Sequence, residues 1–242
     1  MIYRHIFETE LSDINSKKQI KNKALLRFFE NIAGKHSDSL HNGLNDIIDT
    51  GRSWVLLEWR LKVLDRPVYG ERLEVSTWVR NSTKLYSYRD FEIYSNGVKK
   101  VIGSSKWILV DINTLRPMKL NDELLDVYKP EPDKNVFGES EFGKLKEPEA
   151  YTTETEFSVR KSDIDINGHV HNLNYVDMAE EMMPDNGEYD YLDIIYKKEI
   201  KYGDKLTLNA AADKDGTFVR VCSGSVANAL IKLENFNLFQ IN

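Results

Sequence analysis

The feature that most restricts the fold of this chain is that its second half repeats its first. A shift of 150 residues places Phe7 on Phe157, Ser12 on Ser162, Asp13 on Asp163, Ile14 on Ile164, Ile20 on Val170, Asn22 on Asn172 and Glu30 on Glu180. Past the helix that follows, the shift becomes 133, and Tyr69-Gly70-Glu71-Arg72-Leu73 falls on Tyr202-Gly203-Asp204-Lys205-Leu206. The difference of 17 residues is an insertion in the first half, between its helix and its next strand. A few matched residues arise easily by chance; the same order of elements in both halves does not.

Each half reads as one helix followed by an antiparallel meander, an α+β pattern. Between Lys21 and Lys35, the residues Ala24, Leu25, Phe28, Phe29, Ile32 and Ala33 form one apolar stripe at helical period. Gly34 is read as the stop of that helix. Strand patterns follow at 54–65, 71–80, 85–94 and 101–112, with a hairpin turn at Ser95-Asn96-Gly97. The second half has a strand-like stretch at 157–160 and a polar loop at 161–171. A helical stripe of Leu173, Val176, Ala179, Met182 and Met183 follows. Its strands are expected at 192–200, 205–212, 218–222 and 226–236, with a turn at Asp215-Gly216. Residues 129–149 carry Pro130, Pro132 and Pro148 and few large apolar residues, and read as a linker between domains at 1–128 and 150–242.

Composition narrows the function. The 242 residues hold 33 Lys and Arg against 39 Asp and Glu, a net charge of −6 that argues against nucleic acid as a partner. Cys222 is the only cysteine, so no internal disulfide and no multi-cysteine zinc site can form. His5, His36 and His41 are not spaced as metal ligands, and no phosphate-binding or dinucleotide-binding glycine motif is present; no metal and no cofactor is expected. The N-terminal residues lack the apolar core of a signal peptide and no apolar run is long enough to span a bilayer. The expectation is a soluble cytoplasmic protein without a membrane partner.

The informative residues are those that the duplication did not preserve. Asp165, Asn167 and His169 of the second half face Asn15, Lys17 and Gln19 in the first. At i, i+2 and i+4 of an extended loop they would share one face and converge. A helix N-terminus just after them would add backbone N–H donors. A base, an amide that positions water and N–H donors for a carbonyl oxygen turning into an oxyanion suit acyl transfer to water. Asp and Asn before a helix are also ordinary caps, and a histidine there can be a plain loop residue. Loss of the trio in the sister copy favours chemistry, because a scaffold role would be kept in both.

The residues then carry a resemblance. Asp163-Ile164-Asp165-Ile166-Asn167-Gly168-His169-Val170-His171-Asn172, followed by Tyr175, is similar to the D-x-D-x-N-x-H-V-N-N-x-x-Y signature of the acyl-acyl-carrier-protein thioesterases, the plant fatty-acyl thioesterases and their bacterial relatives. Gly51-Arg52-Ser53-Trp54-Val55-Leu56, Arg66-Pro67, Thr77-Trp78, Tyr88-Arg89-Asp90-Phe91 and Trp107-Ile108-Leu109-Val110-Asp111 agree in order and spacing, so the match covers nearly the whole chain. The resemblance implies a double hot-dog fold, each half an antiparallel sheet wrapped around a long helix. It also implies hydrolysis of the thioester between a fatty acyl chain and the phosphopantetheine arm of acyl carrier protein. By the resemblance the second hot dog is catalytic and the first shapes the acyl pocket. The catalytic Asp, Asn and His fall on Asp165, Asn167 and His169, and a further acid on Glu199. The cysteine that follows that acid in plant members is Ile200 here, which favours attack by water over a cysteine acyl-enzyme. His171 stands where the signature has Asn.

The expected mechanism has His169 or Glu199 taking the water proton, Asn167 positioning the water or the thioester oxygen, Asp165 orienting the site, and backbone N–H groups near Val170 and His171 holding the oxyanion. Asp165 as an attacking carboxylate stays open. An acidic carrier protein would dock on a locally basic surface, for which Arg160, Lys161, Lys197, Lys198 and Lys201 are the candidates beside the site. Trp54, Trp59, Trp78, Phe28, Phe29 and Met118 are pocket candidates whose simpler reading is core. A coenzyme A thioesterase and a non-catalytic acyl- or carrier-binding module remain as alternatives. Two fused hot dogs can imitate the common hot-dog dimer within one chain, leaving both a monomer and a further homodimer open.

Overall fold

A computed structural model describes residues 1–138, 142–184, 188–214 and 216–235. The chain divides into two compact units, Met1–Phe142 and Gly143–Asn242. This boundary falls inside the segment expected to be a linker.

In the first unit the order is β1 (Tyr3–Phe7), α1 (Asn22–Asp38), α2 (Ile47–Thr50), β2 (Arg52–Val63), β3 (Leu73–Ser82), β4 (Tyr86–Ser95), β5 (Val98–Asp111) and α3 (Asp122–Tyr128). The strands pair antiparallel in the order β1-β3-β4-β5-β2. Asn96 and Gly97 both take positive φ (50° and 78°), the geometry that closes a two-residue hairpin between β4 and β5.

Helix α1 buries the predicted stripe of Ala24, Leu25, Phe28, Phe29, Ile32 and Ala33, and Leu26 besides, against this sheet. Phe29 stacks on Phe91 at 4.6 Å and lies so close to β5 that a Cβ at Gly103 would sit 2.3 Å from its ring. The glycine there is therefore a packing requirement. Trp59, Trp78, Phe28 and Phe29 are fully buried core residues. Trp54 and Met118 pack beside Val79, Leu109, Leu124 and Tyr128. Helix α1 does not stop at Gly34 but runs one turn further, to Asp38. Packing of the stripe and the inward-facing His36 outweigh the roughly 0.5–1 kcal/mol that glycine costs inside a helix.

Strand β3 is buried on both faces: Leu73, Val75, Thr77 and Val79 toward the helix, and Ser76, Trp78 and Arg80 on the other side. The chain after α3 covers that second face. Glu131 N–H donates to Val79 O (2.9 Å), Trp78 Nε1–H to Lys134 O (2.8 Å), and Val136 N–H to Asp90 Oδ2 (3.2 Å). The Arg60 guanidinium lies over the rings of Phe137 and Phe142. Much of the proline-rich segment is thus a strap on the first unit.

The second unit runs β6 (Thr153–Ser158), α4 (Asn174–Glu180), β7 (Tyr191–Tyr196), β8 (Lys205–Asp213), β9 (Gly216–Ser223) and β10 (Val226–Glu234), paired antiparallel in the order β7-β10-β9-β8-β6. Asp215 and Phe236, placed by the sequence in a turn and at a strand end, lie outside the described residues. The two units share one topology, and both are hot dogs. They differ in their helices: α1 has 17 residues and α4 has 7, with Met182 and Met183 beyond its end. The first-half insertion is spent on this longer helix and on α2.

Candidate active site

The loop before the central helix is built alike in both units, hydrogen bond by hydrogen bond. In the second unit Asp163 is buried; its Oδ2 accepts the Arg160 N–H (2.8 Å) and its carbonyl accepts the His171 N–H (2.8 Å). In the first, Asp13 Oδ2 accepts the Glu10 N–H (3.0 Å) and its carbonyl the Lys21 N–H (2.8 Å). The chain then doubles back, Ile164 bridging Val170 and Ile14 bridging Ile20.

At the tip of that turn, Asp165 Oδ1 accepts the N–H groups of Asn167 (2.8 Å) and His169 (3.2 Å). Asn15 Oδ1 does the same for Lys17 and Gln19, both at 3.0 Å. Either side chain closes the same Asx turn, because each offers one well-placed oxygen. Beyond the turn, Val170 N–H donates to Ile200 O (2.8 Å) and Ile20 N–H to Pro67 O (2.9 Å); His169 pairs with Lys201 and Gln19 with Val68. Both shifts seen in the sequence, 150 and 133, therefore hold in three dimensions.

The scaffold role of Asp165 is kept in both copies, by Asn15. What the second copy alone has is the carboxylate charge, the Asn167 amide and the His169 imidazole. The turn brings Asp165, Asn167 and His169 together on five consecutive residues. The pairing of 169–170 with 200–201 brings Glu199 onto the neighbouring segment. Asn167 and Glu199 are exposed, and Asp165 and His169 are half-buried. Among the described residues the side chains of Asn167, His169 and Glu199 make no hydrogen bond, which leaves their polar atoms available to a ligand.

The expected oxyanion donors are not available. The Val170 N–H is taken by Ile200 O and the His171 N–H by Asp163 O, since both residues lie on the extended return of the loop rather than in the helix. Helix α4 begins only at Asn174. His171 Nδ1 accepts the Leu173 N–H at 3.2 Å, so the departure from the signature serves as a helix-start acceptor.

Sequence reasoning passed over Tyr175, the last residue of the signature. It is buried, its ring meets Tyr196 edge-on at 5.2 Å, and Tyr196 Oη–H donates to Asn172 O (2.9 Å). Burial, then the charges of Glu199 and Asp204, push the Tyr175 hydroxyl well above its ordinary value. It therefore stays protonated. Ile200 is fully buried, and Cys222 sits on β9 with a thiol raised chiefly by burial, so neither position offers a nucleophile. Of the basic candidates, Arg160 is committed to Asp163 through Nε and Nη2 (2.7–3.2 Å), while Lys197, Lys198 and Lys201 are exposed. Among the described residues no group of three or more His, Cys, Asp or Glu could hold a metal.

Comparison with known proteins follows the same division of the chain. Residues 1–128 match the family description "Acyl-ACP thioesterase N-terminal domain" and residues 146–226 match "Acyl-ACP thioesterase C-terminal domain". The chain is similar to oleoyl-acyl carrier protein thioesterase 1, chloroplastic, of Arabidopsis thaliana, at 22% identity over 84% of this chain and 61% of that protein. It is similar to palmitoyl-acyl carrier protein thioesterase, chloroplastic, of Cuphea hookeriana, at 27% identity over 75% of this chain and 45% of that protein. The chain thus spans about three fifths or less of the length of these relatives. Two solved structures share its fold: an acyl-ACP thioesterase from Bacteroides thetaiotaomicron (TM-score 0.80, 22% identity, 96% of this chain and 97% of that one) and the 12:0-ACP thioesterase from Umbellularia californica (TM-score 0.82, 19% identity, 96% of each). The expected double hot-dog fold is thereby shown.

Proposed function

The chain belongs to the acyl-acyl carrier protein thioesterase family, and on that premise we propose that it hydrolyses the thioester between a fatty acyl chain and acyl carrier protein at the 165–169 turn. The observation that carries this reading is a copy-specific trio on a shared scaffold. The same turn exists twice, and only one copy holds a carboxylate, a free amide and a free imidazole.

Water attacks the thioester carbonyl carbon while His169 or Glu199 accepts its proton. The C–S bond then breaks and the proton goes to the departing pantetheine thiolate. A thiolate leaves readily, so general-base activation and one good donor for the oxyanion can suffice. With the Val170 and His171 N–H groups committed, the Asn167 carboxamide becomes that donor. Asp165 holds the backbone of Asn167 and His169 in place and puts a carboxylate charge on the turn that the first copy lacks. The first unit is assigned the acyl pocket. A carrier-bound chain is presented from water, and no helix among the described residues is long and apolar enough to cross a membrane; the cytoplasm is the proposed compartment.

The test is thiol release from a chain-length series of acyl-carrier-protein thioesters, beside the matching coenzyme A thioesters, for wild type, Asn167→Ala and His169→Ala. Carrier-dependent turnover cut about 100-fold or more in both variants is expected. Turnover of the coenzyme A series alone would move the substrate assignment to that thioester. Normal turnover in both variants would remove the site.

A further inference from the structure

The first-unit copy of the turn has not merely lost its chemistry; it has gained charge. The segment from Leu11 to Lys23 carries Lys17, Lys18, Lys21 and Lys23 and a single acid, Asp13, which is buried against Arg27. Its formal charge is +3. The matching segment from Lys161 to Leu173 holds one lysine and two aspartates, a charge of −1. The lysines stand where the second unit has Asn167, Gly168, His171 and Leu173, in a protein whose net charge is −6.

Lys18 makes the substitution more telling. It takes φ +61° at the position where Gly168 takes φ +79°. A lysine in the left-handed region is disfavoured relative to glycine, so the backbone here asks for the residue that the sister copy has. The lysine side chain offers the fold no polar contact in return: Lys18 is exposed and its side chain makes no hydrogen bond or ion pair among the described residues. Lys21 is exposed too, its Nζ donating among the described residues only to Ser12 O at 3.2 Å. Around these cations lies exposed apolar surface. Leu11 is 73% and Tyr69 47% accessible, and Tyr69 is tied to the turn by its N–H on Lys18 O (2.9 Å). Clustered cations beside exposed apolar side chains match an acidic, amphipathic helical surface.

We infer that this lysine turn of the first unit is a docking surface for the acidic carrier protein, an inference that rests on the function proposed above. The duplicated scaffold is then used twice, once for chemistry on the acyl thioester and once for holding the protein that delivers it. The lysines act on encounter and residence of the carrier, not on bond breaking.

The experiment measures binding of holo-acyl carrier protein by titration calorimetry, and turnover of an acyl-carrier-protein thioester against the acyl-pantetheine of the same chain. Wild type is compared with K17E/K18E/K21E and with Lys18→Gly. The triple variant is expected to weaken carrier binding and raise KM for the carrier thioester about tenfold or more, with a flatter salt dependence, and to leave acyl-pantetheine turnover within about twofold. Lys18→Gly is expected to keep or raise Tm while weakening carrier binding, which a purely structural lysine would not do. Unchanged carrier binding in the triple variant overturns the inference, as does loss of binding to phosphatidylglycerol vesicles with carrier binding intact. If wild type binds the carrier but turns over neither thioester, the catalytic reading falls while the binding comparison still decides the docking surface.

Discussion

His36 gives the fold a built-in sensitivity to acid. It sits on the last turn of α1 with no solvent exposure, stacked on Tyr3 at 5.2 Å and edge-on to Tyr128 at 5.5 Å. Its Nδ1 lies 2.9 Å from Nη1 of Arg89, a buried guanidinium that also reaches Thr77 Oγ1 at 3.3 Å. Arg89 can only donate, so Nδ1 must accept and the ring must be neutral. Burial first, then the Arg89 charge, then the N-terminal ammonium, lower the His36 pKa from 6.5 to about 3. The unfolded chain takes up a proton at its ordinary value, whereas the folded chain resists it until far lower pH. Stability from this site is therefore complete above pH 6.5 and is lost progressively as pH falls toward 3. Between pH 7 and pH 5 the unfolded imidazole becomes almost fully protonated and the folded one stays neutral, a loss of about 2 kcal/mol. The assay is urea unfolding at both pH values for wild type and His36→Asn, whose amide oxygen can still accept from Arg89 but does not titrate. The variant is less stable at both pH values because of the smaller side chain. Its loss between pH 7 and pH 5 is expected to be about 2 kcal/mol smaller than that of wild type. Parallel losses would refute the reasoning, since every other titrating group is common to both proteins.

Two further predictions separate scaffold from chemistry. Asp165→Asn should unfold within about 0.5 kcal/mol of wild type, because Asn15 already closes the same turn, yet lower kcat by tenfold or more; normal kcat would show that the carboxylate charge is unused. Gly34→Ala should stabilise the protein by about 0.5–1 kcal/mol in denaturant unfolding, since a Cβ there meets nothing within 4 Å and the residue is inside α1; a destabilised variant would count against that packing.

Much of the fold was readable because it was written twice. The stripe from Ala24 to Ala33 and the alternating strands gave helix and sheet, and the 150 and 133 shifts gave the duplication. The helix ends were not readable. Gly34 looked like a stop because local propensity favours one there, but the buried faces of Ile32, Ala33 and His36 keep the helix going. The prolines at 130 and 132 looked like a linker because nothing in the linear sequence says that Trp78, Arg60 and Asp90 need a cover. At the site, Asp165, Asn167 and His169 were identifiable as the residues that one copy alone retains. The Val170 and His171 N–H groups, expected to be free, are paired, because whether an N–H is free depends on which carbonyl lies opposite it, and Ile200 is 30 residues from Val170.

The sequence by itself determined the repeat, the α+β class, the family and the polar residues that differ between the copies. These follow from residue types and their spacing, which are local properties of the chain. The tertiary structure alone decided which of those differences leave the backbone unchanged and which N–H groups are already paired. The Asx turn is common to Asn15 and Asp165, the lysines of the first turn stand on the same backbone as Asp165, Asn167 and His169, and the Val170 and His171 N–H groups are spent on Ile200 and Asp163. A hydrogen bond joins groups that are close in space, and closeness in space is set by the packing of the whole unit rather than by any stretch of its sequence.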